Sequence, residues 1–518
     1  MIRFLLIPTL FLATSLAAQV RPDPVPGWPR DDGGESVSGL LTGSRPIGMA
    51  APVIANIDGD PSNGSEVAVA SIDGKITVFR SDGTPLWQAE TPNQECVASG
   101  IRLRASAPAV GDLEGDGIPS VVVGYAGSSK KCGGGVVAFN GVTGARKWLF
   151  DVMEDKPTER LSTVFGTPAL ADVDGDGRLE VGFGSWSRYV YLLDFRGRKI
   201  GIYSAADTVW SSPAFVNIDS DRRLEMIIGT DISKNTLLRP PTPNGGMLYA
   251  LDPQDLEPGL KFREPSDWSL TYSKQVIMSS PVVADVLSSR NGDEVVVGTG
   301  CFFGKGKQKF GNRFLIASAK TGKLLKQLKV SACSSSSVAV ADLNNNGVVD
   351  IVATATGSRS FGGDGIGRVH AWEDGRPLWV AIPLINGKND ASIGDFKSPI
   401  VADLDGNGSL EVIVANRNGI VILNGSDGRQ LTCSTTDCFD NTPKIALPST
   451  VSGTPAVGDI NNDGKLDLVV ATGTGGRGIV YAFTNFDQVL QSDPGSHAAN
   501  ATPWAQHRGG SSRRGTLE

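Results

Sequence analysis

Eight copies of one short pattern run along the chain, and this internal repeat limits the available folds more than any other feature. The copies open at Ala51-Pro52, Ala107-Pro108, Thr167-Pro168, Ser212-Pro213, Ser280-Pro281, Ser337-Val338, Ser398-Pro399 and Thr454-Pro455. Successive openings lie 45 to 68 residues apart. Each continues through a short apolar strand, an acidic loop, an apolar run such as Val121-Val122-Val123, a third strand, a Gly-containing turn and a closing strand. Strands this short cannot each bury a face alone, so stacking the units around a closed ring is the economical solution. The pattern predicts an all-β fold, an eight-bladed β-propeller of four-stranded blades with Ca-binding loops. Closing-strand tryptophans such as Trp87, Trp148 and Trp379 are expected to pack between neighbouring blades.

The acidic loops carry the clearest chemistry. In the third repeat Asp172, Asp174, Asp176 and Glu180 stand at positions 1, 3, 5 and 9, with glycines that let the backbone turn around a cation. The spacing recurs as Asn217, Asp219, Asp221 and Glu225; as Asp342, Asn344, Asn346 and Asp350; as Asp403, Asp405, Asn407 and Glu411; and as Asp459, Asn461, Asp463 and Asp467. Calcium takes six to eight hard oxygens, which clustered carboxylates and backbone carbonyls can supply. The first repeat has Asn56, Asp58 and Asp60 but delays Glu66 by two residues, and the second has Asp112, Glu114 and Asp116 but ends on Ser120. The fifth keeps Asp285 and Glu294 with Leu287 and Ser289 between them, and is expected to hold no ion.

A helix-loop-helix calcium hand would place its last ligand at position 12 between helices, whereas these loops lie between strands. The set resembles the FG-GAP or VCBS repeats of integrin-α-like propellers, over residues 50 to about 486. The resemblance implies calcium as the bound cofactor, on the loop residues named above, bracing the first hairpin of each blade.

Residues 1–18 pair a basic start at Arg3 with an apolar run from Phe4 to Leu16 and small residues at Ala17 and Ala18, which reads as a cleavable secretion signal. Residues 19–49 form an N-terminal segment in which Val37 to Leu41 could donate a ring-closing strand; 50–492 form the propeller and 493–518 a tail. The expected location is secreted or periplasmic, without membrane insertion. Six cysteines in an exported chain fit three disulfides, with the order suggesting Cys96–Cys132, Cys301–Cys333 and Cys433–Cys438 among fifteen pairings. A net charge of -7 without basic clusters argues against nucleic acid.

Propeller connectivity puts the acidic loops and the turns between third and fourth strands on one face. The opposite face receives the stretches that vary in length, at 88–106, 126–135, 231–245, 300–313, 357–367, 384–397 and 432–452, and all six cysteines. Variable loops on a rigid scaffold are where recognition resides, so this face is the expected binding surface, with Trp186, Arg188 and Arg417 at its rim.

Only His370, His497 and His507 are present, two of them in the tail, and no phosphate loop or thiolate metal site appears. The sequence therefore reads as a non-catalytic binding or adhesion module for a glycan or extracellular protein, with the oligomeric state open. Two enzymatic alternatives remain. A calcium-rich eight-bladed propeller also resembles rhamnogalacturonan lyases, and units such as Val136 to Trp148 resemble quinoprotein dehydrogenase blades, although the adjacent-cysteine pair of their alcohol dehydrogenases is missing.

Overall fold

The computed structural model describes all residues except 1–20, 32–50, 72–73, 93–102, 128–131, 157–161, 220, 238–240, 254–266, 274, 301, 304–309, 360–362, 392, 394–396, 436–443, 449, 452, 475–476, 491–493, 507 and 511–518. Eight antiparallel sheets stand around a common axis, one per repeat. Blade 3 is representative: Ala169–Ala171, Glu180–Gly184, Tyr189–Leu193 and Lys199–Ser204 pair in sequence order. The three-residue first strands of blades 1 to 5 adjoin in order, as do those of blades 6 and 7, and that of blade 8 adjoins that of blade 1. Among the described residues no helix is long and apolar enough to cross a membrane.

Burial follows position in the blade. The second strand of blade 3, Glu180–Gly184, is buried throughout, while the fourth, Lys199–Ser204, is partly exposed. Inner strands covered on both faces read as continuous apolar runs, and outer strands alternate. The cores between blades are clusters of Val, Ile, Leu and aromatic side chains drawn from adjacent sheets, such as Phe183, Tyr191 and Leu193 with Val122, Val136 and Ala138.

Closing-strand tryptophans of blades 1, 2, 4 and 6 fasten each of these to the next blade, as expected for Trp87, Trp148 and Trp379. Trp87 Nε1 donates to Gly141 O at 2.5 Å, Trp148 to Phe195 O at 2.9 Å, Trp268 to Ala319 O and Trp379 to Gly425 O, both at 2.7 Å. The receiving turn needs glycine for two reasons. Gly428 has φ 73°, and a Cβ there would meet the Trp379 ring at 2.6 Å; Gly197 has φ 74° and faces Trp148 at 2.5 Å.

Ring closure differs in detail from the sequence expectation. The outer strand of blade 8 comes from the N-terminal segment, but as Asp23–Pro24 and Arg30–Asp31, both antiparallel to Arg477–Thr484. The Val37 to Leu41 stretch lies outside the described residues. A proline-rich segment can serve here because an edge strand leaves one row of N–H groups unpaired, so proline removes nothing needed. Val25 and Trp28 anchor it by burial, with the Trp28 ring 5.3 Å from Phe79. Blade 7 has three strands, Ile400–Ala402, Glu411–Asn416 and Gly419–Asn424, with a single bridge from Leu423 to Gln430 in place of a fourth.

The tail, which carried no assignment from sequence, threads the axis. Val401 N donates to Trp504 O at 2.8 Å and Val457 N to Ala505 O at 2.9 Å, so the chain lines the inner edges of blades 7 and 8. Gln506 then exchanges hydrogen bonds with the backbone of Ile54 in blade 1. Arg508 reaches across to donate to Pro213 O in blade 4. Trp504 and Arg508 are both 0% exposed.

Candidate functional site

Two faces carry distinct chemistry. On the first, the acidic loops share a scaffold of backbone hydrogen bonds. The carboxylate at position 1 gathers loop N–H groups: Asp172 Oδ1 accepts from Gly175 at 2.8 Å and Asp176 at 3.0 Å, and Oδ2 from Gly177 at 2.9 Å. Asp112, Asp342, Asp403 and Asp459 repeat the arrangement. The closing carboxylate is buried and accepts the N–H of position 2, as from Val173 to Glu180 at 2.9 Å, Leu343 to Asp350 at 2.9 Å, Leu404 to Glu411 at 2.8 Å and Ile460 to Asp467 at 3.0 Å. Glu66 does the same for Ile57 at 2.7 Å. Its two-residue delay is absorbed by a turn at Pro61–Asn63 that Asp60 caps.

Burial, with neighbouring carboxylates adding to it, pushes Glu180, Glu225, Asp350 and Asp467 up to about 7, and raises Glu66 and Glu294 in the same direction. Oxygen atoms of Asp172, Asp174 and Glu180 lie within 4.8 Å of one another, as do those of Asp403, Asp405 and Glu411. Among the described residues, Glu225 Oε1, Asp350 Oδ1, Asp467 Oδ1 and Asn56 Oδ1 are buried without a hydrogen-bond partner. Buried oxygens left over after the backbone bonds are made are a donor set that fits a hard cation.

The loops are not alike. In blade 2, Lys147 Nζ lies 2.8 Å from Glu114 Oε2 and 3.2 Å from Ser120 Oγ, so an ammonium stands where other loops present their last carboxylate. Asp112, Glu114 and Asp116, expected to serve an ion, thus share their loop with this ammonium. In blade 5, Leu287 is buried beside Glu294, which accepts from Val286 N and Leu287 N at 3.1 Å. In blade 6, Asn344 Nδ2 and Asn346 Nδ2 both donate to Glu373, a residue the loop spacing did not include. In blade 4, Asp252 and Asp267 join the loop carboxylates. Glu373 and Asp252 end or follow a third strand. Their signal in the sequence is only an acidic residue before the Gly turn, indistinguishable from Asp194, whose carboxylate binds Arg198 in its own turn.

The second face has an axial pocket of about 80 Å³. Its wall is a belt of hydroxyls from the repeat openings and the residues before them, including Ser106, Ser212, Ser280, Ser336, Ser337 and Ser398. The belt is bonded around the ring: Thr167 N donates to Ser212 Oγ at 2.7 Å, Ser212 N to Ser280 Oγ at 2.9 Å, Ser337 N to Ser398 Oγ at 3.0 Å and Ser398 N to Thr454 Oγ1 at 2.8 Å. The preceding serines pin the second strand of their own blade, as Ser106 Oγ accepts from Gly124 N at 2.9 Å and Ser211 Oγ from Gly229 N at 2.8 Å.

Phe165, Trp210 and Met278 bring apolar surface to the pocket. Trp186 stacks on Phe165 at 5.8 Å and lies 4.3 Å from Trp210, and Phe165 meets Trp210 edge-on at 5.2 Å. Trp210 Nε1 donates to Thr208 Oγ1 at 3.1 Å, and Thr208 in turn to Asp231. Burial, assisted by Asp207, pushes Asp231 up to about 6. Trp186, expected at the rim of this face, packs behind the pocket-lining Phe165 and Trp210. Arg188 is exposed in the same turn with φ 71°. Arg417 is exposed in blade 7, where its N–H donates to Asp390 Oδ2 at 2.7 Å, and among the described residues no hydrogen bond or ring contact joins it to the aromatic trio. Phe165 and Trp210 were missed because they lie in inter-blade stretches without a periodic pattern. Phe302, 60% exposed, adds apolar surface in the 300–313 stretch. Cys132, Cys333 and Cys433 are buried, none being free, while Cys96, Cys301 and Cys438 lie outside the described residues.

The FG-GAP-like repeat family model matches residues 370–470, from the third strand of blade 6 to the second strand of blade 8. No curated protein matches the sequence. Quinohemoprotein alcohol dehydrogenase from Comamonas testosteroni is similar at 12% identity and TM-score 0.55, over 91% of this chain and 77% of that one. Quinohemoprotein alcohol dehydrogenase ADHIIG from Pseudomonas putida HK5 is similar at 12% identity and TM-score 0.53, over 92% and 82%. The exotype rhamnogalacturonan lyase YesX is 14% identical with TM-score 0.49, over 89% and 75%. At such identities the likeness is one of fold alone. The matched segment contains two of the acidic loops, and the same strand and loop pattern recurs in the closed ring of eight blades; the chain is an eight-bladed β-propeller that carries an FG-GAP-like repeat over residues 370–470.

Proposed function

We propose that the protein is a secreted, calcium-stabilised propeller that binds a glycan through the axial pocket of the face opposite its acidic loops. The observation carrying this reading is the Phe165, Trp186 and Trp210 trio beside a hydroxyl-lined hollow. Aromatic faces cover the C–H surfaces of a sugar ring, and hydroxyls and a carboxyl such as Asp231 match its O–H groups. Calcium would be held by the loops of blades 3, 4, 6, 7 and 8 and by Asn56, Asp58 and Glu66 in blade 1. Its role there is to neutralise buried carboxylates and fix the first hairpin. Blade 2 has its own ammonium in Lys147 and blade 5 has Leu287, and neither belongs to this set. Removal of residues 1–18 and the three neighbour disulfides belong to the same reading, the cysteines tying down loops of the binding face.

The test is a glycan array followed by titration calorimetry on the best ligand. Trp210→Ala and Trp186→Ala should weaken binding at least tenfold while Asp172→Asn leaves it within twofold. Loss of binding in Asp172→Asn with none in the tryptophan variants would move the site to the other face. Unsaturated-uronate absorbance on pectic substrates, or quinone-dependent dye reduction, would replace the binding module by an enzyme.

A further inference from the structure

Blade 4 departs from blades 3 and 7 in both its own loop residues and the carboxylates that approach it. Its loop opens on Asn217, where blades 3 and 7 have Asp172 and Asp403, and Asn217 Nδ2 donates to Asp221 O at 2.5 Å. Two further carboxylates approach from the adjoining hairpin. Asp252 directly follows the third strand Gly245–Leu251, and Asp267 directly precedes the fourth, Trp268–Ser273. Oxygen atoms of Asp219, Asp221 and Asp252 lie within 4.8 Å of one another, and so do those of Glu225, Asp252 and Asp267. Asp252, 3% exposed, is common to both groups.

The inner group contains an oxygen that backbone bonding leaves over. Glu225 is 0% exposed; its Oε2 accepts from Ile218 N at 2.6 Å, and its Oε1 has no hydrogen-bond partner among the described residues. Five carboxylates within two overlapping groups carry five negative charges when ionised. The outer group includes the exposed Asp219 and Asp221 and the inner one the buried Glu225 and half-buried Asp267, so the oxygens form two nests at different depths, one facing solvent and one enclosed, joined at Asp252. The same position in blade 3 does something else. Strand register places Asp194 and Asp252 alike, directly after Leu193 and Leu251, which pair with Val181 and Met226. Asp194 is satisfied by Arg196 N, Arg198 N and Arg198 Nε, the last at 2.7 Å.

We propose that blade 4 binds two divalent cations bridged by the Asp252 carboxylate. The outer ion is held with Asp219 and Asp221, and the inner ion with Glu225 and Asp267. The all-oxygen, carboxylate-rich set selects hard ions of the calcium class over softer metals. The proposal rests on the reading that the acidic loops take calcium, and adds to it a second ion that no loop spacing announces.

Calcium stoichiometry of the chelator-stripped full chain, by equilibrium dialysis, tests it. Asp172→Asn should lose one ion. Asp267→Asn should lose one, and Asp252→Asn two, with near-ultraviolet dichroism in saturating calcium reporting the fold. In protein loaded with terbium and europium, energy transfer between the bridged pair should fall by more than half in Asp267→Asn and not in Asp172→Asn. Should Asp252→Asn not fold, Asp267→Asn decides: an unchanged ion count overturns the inner ion. A one-ion loss in Asp252→Asn also overturns it while leaving the loop reading intact. A wild-type chain that binds no calcium overturns both readings.

Discussion

The backbone N–H of Thr167 donates to the hydroxyl of Ser212 at 2.7 Å, joining the innermost residues of blades 3 and 4. This bond belongs to a belt around the axis that also borders the pocket, so one hydroxyl serves both ring integrity and the lining of the site. Ser212→Ala leaves the buried Thr167 N–H without its acceptor. A loss of about 1–3 kcal/mol is expected in urea unfolding, with Ser212→Thr close to wild type because Thr454 already plays this part for Ser398.

The axial tail should be structural rather than dispensable. Trp504→Ala empties a fully buried indole site between the inner strands, and the expected cost is about 3–5 kcal/mol by chemical denaturation. An unchanged midpoint in that variant would show that the tail does not hold the ring.

Chelation should lower the thermal midpoint, and added calcium should restore it. A site with a Kd in the extracellular range contributes about 1.4 kcal/mol when calcium is at tenfold Kd, and Asp403→Asn should remove one such increment. Blade 2 offers the converse experiment. Replacing its internal cation through Lys147→Met together with Ser120→Asp should raise the calcium count by one in equilibrium dialysis. An unaltered count would mean that Lys147 does not stand in for an ion.

Acid should destabilise the protein through His370. Burial holds this imidazole down at about 4, with Arg368 acting in the same direction, and its ring stacks on Trp372 at 5.4 Å. The folded state favours the neutral ring, whereas the unfolded chain takes a proton near pH 6.5. The contribution of His370 to stability is therefore full above pH 6.5 and declines as pH falls towards 4, by up to about 3 kcal/mol. His370→Leu should flatten that part of the stability profile; a profile of unchanged slope would exclude His370 as its source.

The sequence alone determined the repeat, the blade number, the in-register carboxylates and the face on which loop lengths vary. These are periodic or local: a position 9 glutamate and the N–H it accepts lie within one hairpin, so spacing suffices to place Glu180 against Val173. Trp186 was legible for the same reason, in the short turn between two strong strands. Tertiary structure decided the rest. Lys147 enters the loop of blade 2 and Asp252 and Asp267 that of blade 4 from a separate hairpin of the same sheet, which only strand pairing brings near. Phe165 and Trp210 meet Trp186 because neighbouring blades converge at the axis. Asp23–Asp31 and Trp504–Arg508 join the ring hundreds of residues away, and their contacts exist only once the circle has closed.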